Sequence, residues 1–197
     1  MNPTWYDVRS PRTANAPQMI LKPQDIVILL KIVTLQGQSW TVRSLASQVF
    51  ISHSEVFEGL KRLTAARLVN PHDNTPRRRA SEELLIHGVK YVFPPERGGQ
   101  TRGMPTSYAA PPLNAVISFS GVPPVWPHPM GEVRGYSFSP LYKTVPETAA
   151  LDERLYELLA LVDAIRDGQA REAALAIEEL KAQLGKAKEC QNSNKSA

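Results

Sequence analysis

The chain has 197 residues, 42% hydrophobic and 21% charged, with no apolar run near the roughly eighteen residues of a membrane span and no signal-peptide layout in its first twenty. A lone cysteine, Cys190, excludes an internal disulfide and fits a reducing, cytoplasmic setting. The net charge of +4 is uneven: residues 1–110 hold 14 Lys and Arg against 8 Asp and Glu, residues 111–197 hold 9 against 11, and a basic head joined to a mildly acidic tail suits nucleic-acid binding by the first half.

Residues 1–20 are interrupted by Pro3, Pro11 and Pro17 and read as an irregular arm. Pro23 suits a first helical position, where its missing N–H costs nothing. Ile26, Leu29, Leu30 and Val33 then predict a buried face on a helix that runs to about Gln36 and stops at Gly37. Trp40 is expected to open a short strand.

The stretch 41–69 predicts two short helices joined by a tight turn. Thr41 reads as the first N-cap, and Val42, Leu45 and Val49 as the inner face behind it. Phe50 and Ile51 fill the turn. Ser52 followed by Glu55 reads as a capping box, and Val56, Leu60 and Leu63 give the second helix an apolar stripe. At 100° per residue the opposite face carries Ser54, Glu58, Lys61, Arg62 and Ala65.

Leu45-Ala46, Ile51-Ser52, Ser54, Val56, Lys61-Arg62-Leu63 and Leu68-Val69 together resemble the helix-turn-helix of winged-helix transcriptional regulators of the MarR-like kind, over roughly residues 20–80. The resemblance implies that Ser52, His53 and Ser54, at the start of the second helix, approach base edges or phosphate, and that Lys61 and Arg62 meet the backbone. Glu58 belongs on that face only if it accepts from a cytosine amine. Such regulators dimerise through helices that flank the winged domain, so a homodimer on double-stranded DNA is expected.

Beyond this stretch, Leu68-Val69 reads as a strand and Pro71-His72-Asp73-Asn74 as a turn, with Arg77-Arg78-Arg79 on the return side of a wing that could lie along phosphate. Residues 80–88 predict a short helix stopped by Gly88, and Tyr91-Val92-Phe93 a short strand or extended piece that completes a domain over 21–93. Residues 94–147 are rich in Pro and Gly yet carry Tyr108, Leu113, Ile117, Phe119 and Trp126, which predicts an extended segment wrapped over its own chain or a partner's. Arg97 and Arg102, spaced by glycines, are a second set of candidate DNA contacts.

Residues 148–188 predict a helical hairpin broken at Gly168. Leu151, Leu155, Leu158, Val162 and Ile165 form one stripe and Ala173, Ile177, Leu180 and Leu184 the other, a candidate dimerisation face. Residues 189–197 read as a disordered tail. His53, His72, His87 and His128 are scattered, and neither a P-loop nor a metal-ligand spacing occurs, so neither an enzyme nor a cofactor is expected. The expected fold is mainly α with a small β wing, a winged helix-turn-helix plus the hairpin. The expected function is that of a DNA-binding transcriptional regulator; the alternative is a protein-interaction module, such as an antitoxin or operon partner that binds an enzyme.

Overall fold

Two helices that are enclosed almost all round organise the chain. Helix α1 (Pro23–Leu35) buries every residue from Asp25 to Val33, and helix α7 (Glu153–Asp167) buries every residue from Leu158 to Arg166. A helix that is apolar on all sides has to sit between layers. α1 packs against α2 (Val42–Val49) and α3 (His53–Ala65) and against α7, while α7 also meets α6 (Val145–Leu151) and α8 (Ala170–Lys186). These are features of a computed structural model, which describes residues 19–35, 37–167 and 169–186. Most of the expected N-terminal arm, the expected break at Gly168, and the expected tail with Cys190 lie outside the described residues.

The fold is mixed α/β rather than mainly α. Residues expected to form an extended wrap instead make strands β1 (Arg97–Pro105), β2 (Pro124–Pro127) and β3 (Val133–Phe138). β1 runs antiparallel to both others, β2 and β3 are parallel, and the three close on one another. Such tight closure needs backbone against backbone. A Cβ at Gly103 would run into the Trp126 carbonyl, one at Gly135 into the Pro123 carbonyl, and one at Gly131 into the backbone of Gly103. The glycines that suggested a linker are therefore closing residues of a sheet.

Thr41 caps α2 as expected: it accepts from Ser44 N–H, and the Ser44 hydroxyl accepts from Thr41 N–H in return. Ser52 caps α3 by accepting from Glu55 N–H at 3.3 Å, but the Glu55 side chain turns to Arg62 instead of closing a capping box. The expected wing is one isolated pair, Val69 with Pro76, framed by Arg77 N–H donating to the Leu68 carbonyl. Trp40 opens no strand; it packs, half-buried, against the core.

Three further expectations fail for local reasons. Gly88 does not stop a helix, because its φ of −100° is right-handed. Helix α4 (Arg78–Glu83) runs on through a π turn at Leu84–Gly88, where Val89 N–H donates to the Leu84 carbonyl, into α5 (Val89–Val92). Tyr91 and Val92 are consequently helical and exposed, not a strand. The hairpin stripes are mostly enclosed: Leu155, Leu158, Val162 and Ile165 lie inside this chain's own core with Leu180 and Leu184, whereas Leu151 ends α6 at 73% exposure.

Polar ties hold the layers in register. Thr144 and Thr148 of the α6 region donate hydroxyls to the Val49 carbonyl at 2.9 and 3.2 Å, satisfying an open acceptor at the end of α2. Asp152 caps α7 through Leu155 N–H and receives Lys31 Nζ of α1 at 2.7 Å. Burial alone would raise its carboxyl, but Lys31 and the cap N–H outweigh that and hold it below the usual carboxylate range.

Candidate nucleic-acid interface

Helices α2 and α3 meet at a tight corner built by Phe50, whose φ of 52° is left-handed, and by Ile51, which is buried. The first turn of α3 is left open to solvent: Ser52, His53 and Ser54 are all exposed, and the Ser52 and Ser54 hydroxyls lie 3.3 Å apart. On the inner side Gly59 marks the crossing with α1, since a Cβ there would come within 2.7 Å of Ile28 Cδ1 and 3.0 Å of Asp25 Oδ1. α3 ends in a Schellman motif, with Leu68 N–H on the Leu63 carbonyl and Arg67 N–H on that of Thr64. Arg67 occupies the left-handed position at φ 58°, where glycine is the easy choice.

The structure separates the expected contact residues. Ser52, His53, Ser54, Glu58 and Lys61 share the exposed side of α3, but Lys61 Nζ lies 2.7 Å from Glu58 Oε1 and 4.4 Å from the Phe57 ring centroid. Arg62 is a correction. It is buried, donates two hydrogen bonds to the fully enclosed Asp25 at 2.7 and 2.8 Å, and a third to Glu55 at 2.6 Å. The wheel placed it outside because a wheel cannot see that Asp25 of α1 waits on that side. Those hydrogen bonds, Asp25's first, raise the Arg62 guanidinium against its burial. Burial would raise the Glu55 carboxyl, but Arg62 and Gln24 hold it below its usual range.

Among the three adjacent arginines, Arg77 is exposed and bonds Asn70 at 2.9 Å, Arg78 is tied to Glu82 and to the Lys181 carbonyl, and Arg79 is exposed without an ion pair among the described residues. They stand at the start of α4, not along a wing. Arg97 is also a correction: it pairs with Asp167 at the end of α7. Arg102 is exposed on β1, directly opposite Arg134 of β3.

Sequence reasoning missed two groups. Exposed Arg43 on α2 and Arg67 after α3 flank the open turn in the chain, and both are free of ion pairs among the described residues. The second group is a buried node on α7. Asp163 accepts from the Thr106 hydroxyl at 2.8 Å, from Trp126 Nε1 at 2.6 Å and from Arg166 at 2.5 Å. Arg166 in turn donates to the carbonyls of Phe93 and Ser139. Burial pushes the Asp163 carboxyl up against the pull of Arg166. This node ties β2, and the residues next to β1 and β3, to α7, and it is closed to solvent.

No group of three metal-binding side chains occurs among the described residues, and no helix there is long and apolar enough to cross a membrane. No known protein family, curated protein or solved structure matches the chain at a significant level.

Proposed function

We propose that α1–α3 with the short hairpin after them act as a winged helix-turn-helix that reads double-stranded DNA, in a MarR-like transcriptional regulator. The observation that carries this reading is the open first turn of α3. Ser52, His53 and Ser54 are exposed there, exposed Arg43 and Arg67 precede and follow the turn in the chain, and exposed Arg79 stands further on at the start of α4. An open helix start attracts phosphate and lets short polar side chains reach base edges.

The test is an electrophoretic shift with DNA from upstream of the protein's own reading frame. Ser54→Ala should alter the preferred sequence in a selection experiment, whereas Arg79→Ala should weaken all sequences alike and reduce the salt slope by about 0.9. Arg67→Gly separates structure from contact: relief of the left-handed backbone should stabilise the fold by about 1 kcal/mol, while DNA binding weakens. A parent protein that shifts no DNA, or a Ser54→Ala selection that returns the parent consensus, removes α3 as a reader.

One recognition helix reads few base pairs, so the reading calls for two copies. The hairpin stripes that suggested a dimer face are largely enclosed within the chain, so a second copy would meet another surface. A second reading, a protein-interaction module, rests on a different observation. Phe50 and Phe57 are half-exposed, Phe57 lines a shallow groove of about 390 Å³ with Val42, Leu60 and Lys61, and the Lys61–Glu58 pair leaves the middle of α3 electrically neutral. Phe57→Ala that keeps the DNA shift but loses a stoichiometric partner in a pull-down favours that module.

A further inference from the structure

We propose that the outer face of the β1–β3 ladder binds single-stranded nucleic acid, with Arg102 and Arg134 holding phosphate and Tyr136 stacking on a base. The placement follows from the glycines. Side chains alternate across a strand, and Gly103 and Gly135 must face inward because a Cβ on either would strike the neighbouring backbone. The residue before each, Arg102 and Arg134, is therefore turned outward, and both are exposed. The register sets them directly opposite each other.

Two like charges facing across a ladder repel and destabilise it. Neither arginine has an ion pair among the described residues; Glu132 lines the same groove of about 310 Å³ but bridges neither. An anion between the guanidiniums removes the repulsion, and a phosphate diester accepts guanidinium N–H groups in a fork. One step along the same face Tyr136, 51% exposed, stands opposite Gln100. An exposed ring beside paired arginines suits an unstacked base, because a duplex hides its base faces and a single strand presents them. This site is separate from α3 and does not depend on the duplex reading.

The test is fluorescence anisotropy of the full-length protein with a labelled oligo-dT strand and with a duplex of equal length. R102Q/R134Q should lower single-strand affinity at least tenfold and reduce the slope against log salt by about 1.4, about 0.7 for each phosphate lost. Y136A should lower it several-fold with the slope unchanged, and duplex affinity should change less than twofold in both. Without nucleic acid, R134Q should melt no lower than the parent, since it removes a repulsion. A parent that does not bind oligo-dT, or a double glutamine variant that binds it as before, overturns the proposal. So does an equal loss for single strand and duplex, which makes the arginines a general cationic surface. Parent-like binding by Y136A also overturns it, by removing the stacking. Failure of Ser54→Ala to alter duplex selectivity would instead sink the α3 reading and leave this one standing.

Discussion

Arg62 is where a plausible DNA contact proves to be a core residue. Its guanidinium answers Asp25, which has no exposure to water, and reaches Glu55 with a third hydrogen bond. Arg62→Ala should therefore destabilise the fold by about 3–5 kcal/mol, the cost of leaving a buried carboxylate unpaired. Any loss of DNA binding in that variant would follow unfolding, and chemical denaturation checks it. Removing both charges, as Asp25→Leu with Arg62→Met, should recover most of the loss; a double variant as unstable as Arg62→Ala would show that packing, not charge, is decisive. The alternation of apolar residues along α3 was legible because it repeats locally. The fate of Arg62 was not, because its partner lies 37 positions away on another helix.

At the scale of elements, the helices of the first seventy residues were readable from caps and apolar spacing: Thr41 and Ser52 cap where expected, and Pro23 starts α1. The sheet was not, since glycine and proline usually mark turns and here serve closure. The repeated Arg-Gly at 102–103 and 134–135 was the signal available in the sequence. Gly135→Ala should accordingly destabilise the protein by about 3 kcal/mol or more, by forcing a Cβ onto the Pro123 carbonyl and Val125; a melting curve like the parent's would mean the strands are looser than drawn. The joint between α6 and α7 has a pH signature. The Asp152 carboxyl is depressed in the folded chain, so its contribution is complete above its unfolded pKa of about 3.9 and is lost as pH falls through the lower folded value. Melting temperature should fall between about pH 5 and about pH 2, and Asp152→Asn, less stable at neutral pH, should show a smaller fall over that window. An equal fall would assign the acid sensitivity elsewhere.

For the whole molecule, one apolar cluster runs from Ile26 to Leu184, and α7 touches the helices of both ends as well as the segments that carry the sheet. Trp126→Phe keeps an aromatic ring but takes a donor from the buried Asp163 and leaves part of the indole's space empty; it should cost at least about 1–3 kcal/mol, as an imperfectly satisfied buried group does, with hydrogen exchange rising along β2 and β3 first. Exchange rising equally everywhere would show that sheet and helices open as one unit. A chain ending at Tyr142 lacks α7 and should be unfolded by circular dichroism; a folded monomer would contradict the central place given to that helix.

The position of α7 also bears on how the protein is made. Synthesis delivers α1 first, with nine successive residues that end up enclosed, and delivers their covering helix only after residue 153. Between the two, the nascent chain carries an apolar helix without its lid, the kind of surface that chaperones hold and that aggregation exploits. Completion of the core waits for α7, so a ribosome stalled before it leaves a sticky product rather than a smaller working protein.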